Sequence, residues 1–576
     1  MEGMENREDL KSMLPFLPLL LGSSNLFWPS QVVKSLETLS KGPLYSKVDS
    51  GELLFNAISH IRDSLALPSL QPVAPFAHGG YALFFDELIS RAEASKWFEE
   101  VVPALANLLL RLPSLLESHY QDADYLFNGV RTGLRLLGSQ EAGIVFLGQE
   151  LVAALLTCAF FCLFPVSDRG SKHKLFSLTW KINPSDTSVL LRDIYESYSK
   201  KQENKIKCIM HYFERICSSM PEGLVSFERK VLPLEQLPLC VSYPEADFWS
   251  KSVVSLCPFE VHSSGFIEQS NGALEVDFAN KYLGGGALRS GCLQEEIRFM
   301  ISPELIAGML FLPCMEDNEA IEIVGAERFS NYTGYASSFC FSGDHVDKRN
   351  VDGFRRCKTR IVAIDALCRA GMRQYKCTYL LREANKAFCG FLDQSNCDHH
   401  KSPFQDGGSQ GSQCMETDKD TNVVVKDFPM DEAPSTSVEI AMNRGEYINQ
   451  VIGYSDKKGS WCLDLEDKTG IATGNWGCGA FGGDPELKTM IQWLAASQAA
   501  RPSVSYYTFG IRSLQNLNQV SQWILSHEWT VGDLWNMLVE YSSRRFNKET
   551  NLGFFAWLLP TLFAHDAKMS NLTSTP

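Results

Sequence analysis

The sequence predicts an α/β fold in which helices flank a mixed or largely parallel sheet, preceded by an all-helical accessory domain. Up to about residue 225, apolar residues recur at three- and four-residue spacing, which is typical of amphipathic helices. From about residue 226, short β-like runs alternate with helical stretches. We therefore divide the chain into a helical domain over 1–225 and an α/β domain over 226–565.

The N-terminal half contains three long helical patterns, over residues 84–102, 104–117 and 143–164. The last includes an uncharged run, 151–165, which is shorter than the roughly 20 residues of a membrane-spanning helix. The apolar run at 13–21 follows acidic residues, whereas a secretory leader begins with basic ones. We therefore expect an intracellular protein that does not contact a membrane.

The C-terminal half reads as interleaved strands and helices. Its predicted strands are 265–268, 274–279, 320–325, 360–367 and 503–509. Its clearest predicted helices are 303–312 and 485–500.

The segment 397–438 is rich in Asp, Ser, Gly, Gln and Lys, and we expect a disordered insertion within the α/β domain. It contains a GxSxG pattern at 407–411, the letters of a serine-hydrolase nucleophile motif. That motif requires a strand, a sharp turn and a helix. The surrounding polar residues predict none of these, which argues against a serine hydrolase.

The composition disfavours several partners and cofactors. The formal net charge is −15, so the surface repels nucleic acid unless a local basic patch dominates. The 17 cysteines include no CxxC pair, which excludes a ribbon-type zinc site and favours free thiols in a reducing compartment. We expect no metal and no cofactor.

The densest group of polar residues follows the predicted strand 274–279, which carries Asp277. The strand leads into Gly284, Gly285 and Gly286, and glycines allow backbone N–H groups to approach a ligand closely. A helix is predicted to begin near residue 290 or 291. A strand, a glycine loop and a helix N-terminus form the usual arrangement for binding a phosphate.

Gln294, Glu295 and Glu296 lie near the start of that helix. Consecutive helical residues point about 100° apart, so the two glutamates cannot face the same atom. We therefore expect Glu295 and Glu296 to have different roles.

A second glycine loop spans residues 473–484 and precedes the helix predicted at 485–500. Residues 477–482 match GxGxxG, the dinucleotide-binding fingerprint, which also requires an acidic residue about 20 positions further on. Residues 501–505 contain no acid, which disfavours a nicotinamide-dependent oxidoreductase. Two glycine loops at two helix starts instead predict two walls around one diphosphate.

Together these blocks resemble the poly(ADP-ribose) glycohydrolase family. The resemblance covers most of residues 226–560 and rests on VDFAN, GGG, QEE, NYTGYA, GNWGCGAFGGD and YTFG. It implies a macrodomain that binds ADP-ribose and hydrolyses the ribose–ribose bonds of poly(ADP-ribose). It also implies activity on poly(ADP-ribosyl)ated proteins, in the nucleus and the cytoplasm, in the DNA damage response. We expect a monomer.

The resemblance assigns a catalytic trio of Asp277, Glu295 and Glu296. Glu296 would be the general acid, Glu295 would hold ribose hydroxyls and Asp277 would order the site. The substrate-binding positions that it implies are Ile267, Glu268, Asn280, Gly284, Gly285, Gly286, Gln294, Tyr335, Asn475, Trp476, Gly477, Cys478, Gly479, Ala480, Phe481, Gly482, Gly483 and Phe509.

The main alternative is a non-catalytic macrodomain that binds ADP-ribose or poly(ADP-ribose). Glu296 discriminates between the two, because a binding module has no need of an acid at that position. For the N-terminal half alone, an interaction scaffold is a further alternative.

The insertion at 397–438 is expected to be dispensable for catalysis, because its composition buries too little apolar area to offset its ordering entropy. We predict that replacing it with a short Gly/Ser linker leaves turnover and melting temperature nearly unchanged. A loss of turnover beyond about tenfold, ~1.4 kcal/mol of barrier, would show instead that the insertion builds the site.

Overall fold

The computed structural model describes residues 4–65, 77–126, 130–165, 200–236, 241–393 and 469–560, and these ranges form one compact unit. The expected insertion at 397–438, with its GxSxG letters, lies outside the described residues. The described strands, numbered in chain order, are β1 Leu20–Leu21, β2 Leu26–Phe27, β3 Gly143–Gly148, β4 Leu224–Val231, β5 Phe259–His262, β6 Leu274–Ala279, β7 Glu319–Gly325, β8 Ser330–Thr333, β9 Cys340–Asp344, β10 Cys357–Asp365, β11 Ile471–Gly474 and β12 Val504–Tyr507.

The helices of the N-terminal half, again in chain order, are α1 Glu8–Met13, α2 Ser30–Ser40, α3 Pro43–Ser46, α4 Gly51–Leu65, α5 Ala77–Ala82, α6 Arg91–Lys96, α7 Val102–Leu126, α8 Gln149–Phe160 and α9 Lys200–Ser218. Those of the C-terminal half are α10 Ala246–Ser250, α11 Gln294–Ile301, α12 Cys377–Phe391, α13 Pro485–Gln498, α14 Leu517–Ser526, α15 Val531–Phe546 and α16 Phe554–Leu558. The segment predicted as a helix over 303–312 is a 3-10 helix, Pro303–Leu310.

Eight strands form the main sheet, in the order β3-β4-β7-β10-β6-β11-β12-β5. The five strands from β10 to β5 are mutually parallel, whereas β7, β4 and β3 extend the sheet by antiparallel pairing. The mixed sheet flanked by helices is therefore confirmed.

Alternating side chains of the central strands pack into two hydrophobic clusters. On one face, Ile361 of β10 and Ile323 of β7 pack with the N-terminal helices and α11. On the other face, Val362 of β10 and Val276 of β6 pack with α12, α13 and α15. The sheet is thus the middle layer, and the N-terminal helices cover one of its faces.

Three local predictions are wrong. The helix predicted over 143–164 begins only at Gln149, because the preceding IVFL segment pairs with β4 as strand β3. The helix predicted over 84–102 is interrupted where Ser90 caps α6 by accepting a bond from the Glu93 amide, at 3.2 Å. The strand predicted over 265–268 is absent, and Ile267–Gln269 forms a 3-10 turn.

Strand β4 also connects the two halves of the chain. The boundary predicted between residues 225 and 226 falls inside this strand, and β3 belongs to the N-terminal half yet joins the main sheet. The N-terminal helices are therefore packed onto the sheet rather than separated from it.

One described helical segment, Arg91–Leu126, is long and apolar enough to cross a membrane by length and composition. Half of its most apolar stretch is buried inside the protein.

Candidate active site

The candidate site lies at the C-terminal end of β6, where this strand separates from β11. β6 pairs with β10 through Ala279, but it pairs with β11 only at Leu274 and Glu275. The Gln294 side chain fills the gap: its Nε2 donates to the Val276 carbonyl at 3.1 Å, and its Oε1 accepts from the Phe278 amide at 2.8 Å. Ligands of open α/β sheets bind in such crevices beyond the carboxyl ends of the strands.

Asp277 lies near the C-terminal end of β6, beside this crevice, and is only 1% exposed. Within the described ranges, neither of its carboxylate oxygens has a hydrogen-bond partner. Burial, and secondarily the charge of Glu296, raises the pKa of Asp277 to about 8, and Arg298 opposes this rise only in part. Asp277 therefore carries its proton at neutral pH.

The glycine loop brings the backbone against both glutamates. Gly284 and Gly285 have φ of +78° and +49°, a conformation that favours glycine. A Cβ at Gly285 would collide with Oε2 of Glu295 and would lie 2.6 Å from Oε1 of Glu296. The glycine is thus required at this position for conformation and for space.

The two adjacent glutamates contact different parts of the loop, as their spacing predicts. Glu295 is buried, and its Oε2 accepts from the Asn280 amide at 2.9 Å. Glu296 accepts from the amides of Gly286, at 2.9 Å, and Leu293, at 2.8 Å. The backbone therefore fixes the Glu296 carboxyl through both of its oxygens.

Helix α11 begins at Gln294 rather than near residue 290 or 291. The intervening residues form a turn closed by the Gly291 amide on the Gly286 carbonyl, at 3.2 Å. Because of this turn, the helix begins later than predicted, and Glu296 lies among its first residues. There the Glu296 side chain accepts a bond from the Leu293 amide.

The second glycine loop follows β11, the strand adjacent to β6, so both loops lie at the same edge of the sheet. Backbone bonds fold it on itself: Cys478 donates to Asn475 at 3.0 Å, and Gly483 donates to Gly477 at 2.9 Å. Asp484 then caps α13 by accepting from the Glu486 amide at 3.0 Å. The second loop and the start of α13 thus lie at the same edge of the sheet as the first glycine loop.

Some predicted ligand-binding positions in this loop have evident structural roles. Trp476 is fully buried, and its Nε1 donates to the Ile364 carbonyl at 2.9 Å. Asn475 donates to the Thr508 carbonyl at 3.0 Å and accepts from the Tyr506 hydroxyl at 3.1 Å. Gly479 and Gly482 face open space, and Ala480 is exposed beside them. Phe481 is half-buried and packs against the core.

The predicted substrate-binding positions outside the two glycine loops differ in exposure. Ile267 and Glu268 are buried, and Glu268 accepts from the Tyr332 hydroxyl at 2.6 Å. Tyr335 and Phe509 are 53% and 46% exposed, which leaves their rings available to a ligand. Phe509 also has φ of +49°, an unusual conformation for a bulky residue.

Sequence reasoning missed Lys205 of α9, which reaches the glycine loop from the N-terminal half. Its Nζ donates to the carbonyls of Arg289, at 2.6 Å, and Gly291, at 2.7 Å. The local sequence carries no signal for this contact, because the two segments are about 85 positions apart.

The sequence is similar to that of one family of known proteins. Residues 246–516 match the family described as poly(ADP-ribose) glycohydrolase, macro domain fold, and residues 89–229 match the helical domain of the same family. Poly(ADP-ribose) glycohydrolase 1 of Arabidopsis thaliana is 57% identical over 561 residues, covering 97% of this chain and 98% of that protein. The chain belongs to the poly(ADP-ribose) glycohydrolase family.

Other family members show a graded similarity. The probable poly(ADP-ribose) glycohydrolase 2 of Arabidopsis thaliana is 54% identical over 97% of this chain and all of that protein. Poly(ADP-ribose) glycohydrolase 1 of Caenorhabditis elegans is 29% identical over 58% of this chain and 35% of that protein. The macrodomain and the helical domain expected from the sequence are thus confirmed.

We predict that Gly285→Ala lowers turnover by about a hundredfold, because the new Cβ displaces both glutamate carboxyls. Gly272→Ala is the matched control: Gly272 also has positive φ, +74°, but no atom lies within 4 Å of an added Cβ. Turnover is measured for both variants. Equal losses would attribute the effect to backbone strain and contradict the proposed contact with the carboxyls.

A second prediction concerns pH. Asp277 stays protonated in the folded protein up to about pH 8 but ionises near its ordinary pKa when unfolded, so its contribution to stability falls as pH rises across that window. Asp277→Asn removes this titration. We expect the variant to gain stability over wild type at pH 8, with a smaller difference near pH 4, in denaturant unfolding. A difference independent of pH would contradict a protonated Asp277.

Proposed function

We infer that this chain is a glycosidase that hydrolyses the ribose–ribose O-glycosidic bonds of poly(ADP-ribose) and releases ADP-ribose. One observation carries the mechanism: the Glu296 carboxyl is fixed by two backbone amides at the mouth of the crevice beyond β6. Membership of the family over nearly the whole chain supports the same activity.

Glycosidic cleavage passes through an oxocarbenium-like state and requires an acid for the leaving oxygen. We assign this role to Glu296, whose carboxyl is held in one orientation: in its protonated form it gives its proton to the leaving ribose oxygen and becomes a carboxylate. After cleavage, the same carboxylate can accept a proton from the attacking water. No covalent intermediate and no cofactor are required.

The other two acids support this step differently. Glu295 uses Oε2 to accept from the Asn280 amide, which orients its carboxyl toward the ribose hydroxyls that we propose it holds. Asp277 is buried behind the loop and neutral at neutral pH, so it adds no negative charge that would compete with a diphosphate. Its role is to order the site.

Backbone amides are the natural partners of the diphosphate. The chain has a net charge of −15, so its overall field does not attract an anion. We propose that N–H groups of the two glycine loops and of the start of α11 bind the diphosphate at one edge of the sheet, because the Glu486 and Leu487 amides at the start of α13 already bond to Asp484. We propose that the exposed rings of Tyr335 and Phe509 pack on the ligand beside these loops.

The cellular setting is a further part of the proposal. We propose that the protein acts as a monomer on poly(ADP-ribosyl)ated proteins of the nucleus and cytoplasm, in the DNA damage response, without binding nucleic acid or membranes. The net charge of −15 supports the absence of nucleic-acid binding, and the thirteen free cysteines among the described residues support a reducing compartment.

The general-acid role predicts different defects for two neighbouring variants. Glu296→Gln cannot deliver a proton and should lose ~10²–10⁴-fold in turnover, while ADP-ribose affinity stays within about threefold of wild type. Glu295→Gln should weaken ADP-ribose binding as part of its defect, because it alters contacts with the ribose. Hydrolysis and ADP-ribose affinity are measured for both.

Glu296→Gln can keep only one of the two backbone bonds, because an amide has one acceptor oxygen. The melting temperatures of both variants are therefore compared with wild type to detect a loss of stability. Near-normal turnover in Glu296→Gln, or a loss explained by lost binding, would contradict the assignment. A wild-type protein that binds poly(ADP-ribose) without releasing ADP-ribose would support the alternative, a binding macrodomain.

A further inference from the structure

Lys205 is a buried cation in α9, with 4% of the residue exposed. A buried lysine is costly unless its ammonium protons find acceptors. Its Nζ donates to the carbonyls of Arg289, at 2.6 Å, and Gly291, at 2.7 Å, and lies 3.5 Å from the Gly286 carbonyl. Three carbonyls thus surround a group with three protons.

Those three carbonyls belong to the turn that holds Glu296. The Gly286 amide donates to Oε1 of Glu296 at 2.9 Å. A Cβ at Gly291 would lie 2.8 Å from Cδ of Glu296, so this end of the turn also packs against the carboxyl. Any movement of the turn 286–291 would therefore move Glu296.

Among the described residues, two side chains of α9 donate hydrogen bonds to this turn. Within the turn, the Gly286 carbonyl accepts from the amides of Arg289, at 2.8 Å, and Gly291, at 3.2 Å. From α9, Gln202 donates to the Arg289 carbonyl at 3.0 Å, but Gln202 is only half-buried and uncharged. Lys205 is the charged and buried contact between α9 and the turn.

We propose that Lys205 is a positioning residue for glycosidic cleavage: it fixes the turn 286–291 so that the Glu296 carboxyl stays aligned with the leaving oxygen. This inference rests on the proposed function and extends the catalytic apparatus to the N-terminal helical region. Lys205 acts through the backbone and does not contact the substrate.

The environment of Lys205 adds a pH dependence. Burial lowers the pKa of Lys205 to about 8, although the surrounding groups partly oppose this. Cys292 and Glu296 on the glycine-loop side and Cys208 on its own helix raise this pKa, whereas Lys201 of the same helix lowers it further. Loss of one proton above pH 8 removes one donor from the turn, so the wild-type turnover should decline there.

The test compares Lys205→Met with a matched control, Lys207→Met. Both variants remove one positive charge from α9, but Lys207 pairs with Glu203 rather than with the loop. We expect Lys205→Met to lower kcat about tenfold or more, with ADP-ribose affinity within about threefold of wild type. Lys207→Met should retain wild-type kcat. Lys205→Arg, which keeps charge and donors, should recover part of kcat and show a shallower decline above pH 8, where Asp277 still ionises.

Amide hydrogen exchange provides a readout that does not depend on activity. Lys205→Met should accelerate exchange at residues 286–291 and leave β10 protected. If Lys205→Met does not fold, Lys205→Gln, which keeps an amide donor, is measured in the same way. Inactive wild-type protein would overturn the proposed function. Amide exchange would still test whether Lys205 fixes the turn 286–291.

Two results would overturn the role of Lys205. One is unchanged exchange at 286–291 together with a kcat within about twofold of wild type. The other is an equal loss of kcat and of ADP-ribose affinity, which would mean that Lys205 serves the general fold of the pocket.

Discussion

The separation of β6 from β11 after Glu275 is the constraint on which the site depends. Two neighbouring parallel strands that stop pairing leave backbone groups without strand partners, and a buried polar group needs another partner. Gln294 supplies it by bonding to Val276 and Phe278. The same two bonds fix the start of α11 against β6, which determines where Glu295 and Glu296 point.

The site also has to hold several ionisable groups close together without strong repulsion. Asp277 is neutral because burial and the charge of Glu296 raise its pKa. Glu295 and Glu296 each accept bonds from backbone N–H groups. The Lys205 ammonium of α9 donates to carbonyls of the turn 286–291, whose Gly286 amide bonds to Glu296. Backbone dipoles and one buried lysine thus hold the carboxyls, and the exposed loops stay free for an anionic ligand.

Local sequence was sufficient to predict β6, both glycine loops and the different directions of the two glutamates, because each depends on residues close in the chain. It was insufficient for β3, whose IVFL segment is compatible with a helix until β4 pairs with it. The bonds of Gln294 and Lys205 could not be predicted either, since they depend on the strand separation and on the packing of α9. The buried position of Trp476 has the same origin: Ile364 lies on another strand.

The most direct measurement is the identification of products after the purified protein is incubated with poly(ADP-ribose). Mass spectrometry distinguishes cleavage between riboses from cleavage within the diphosphate. Our account predicts ADP-ribose as the released nucleotide, because Glu296 protonates a ribose oxygen. Products cut at the diphosphate, or intact polymer recovered in complex with the protein, would contradict it.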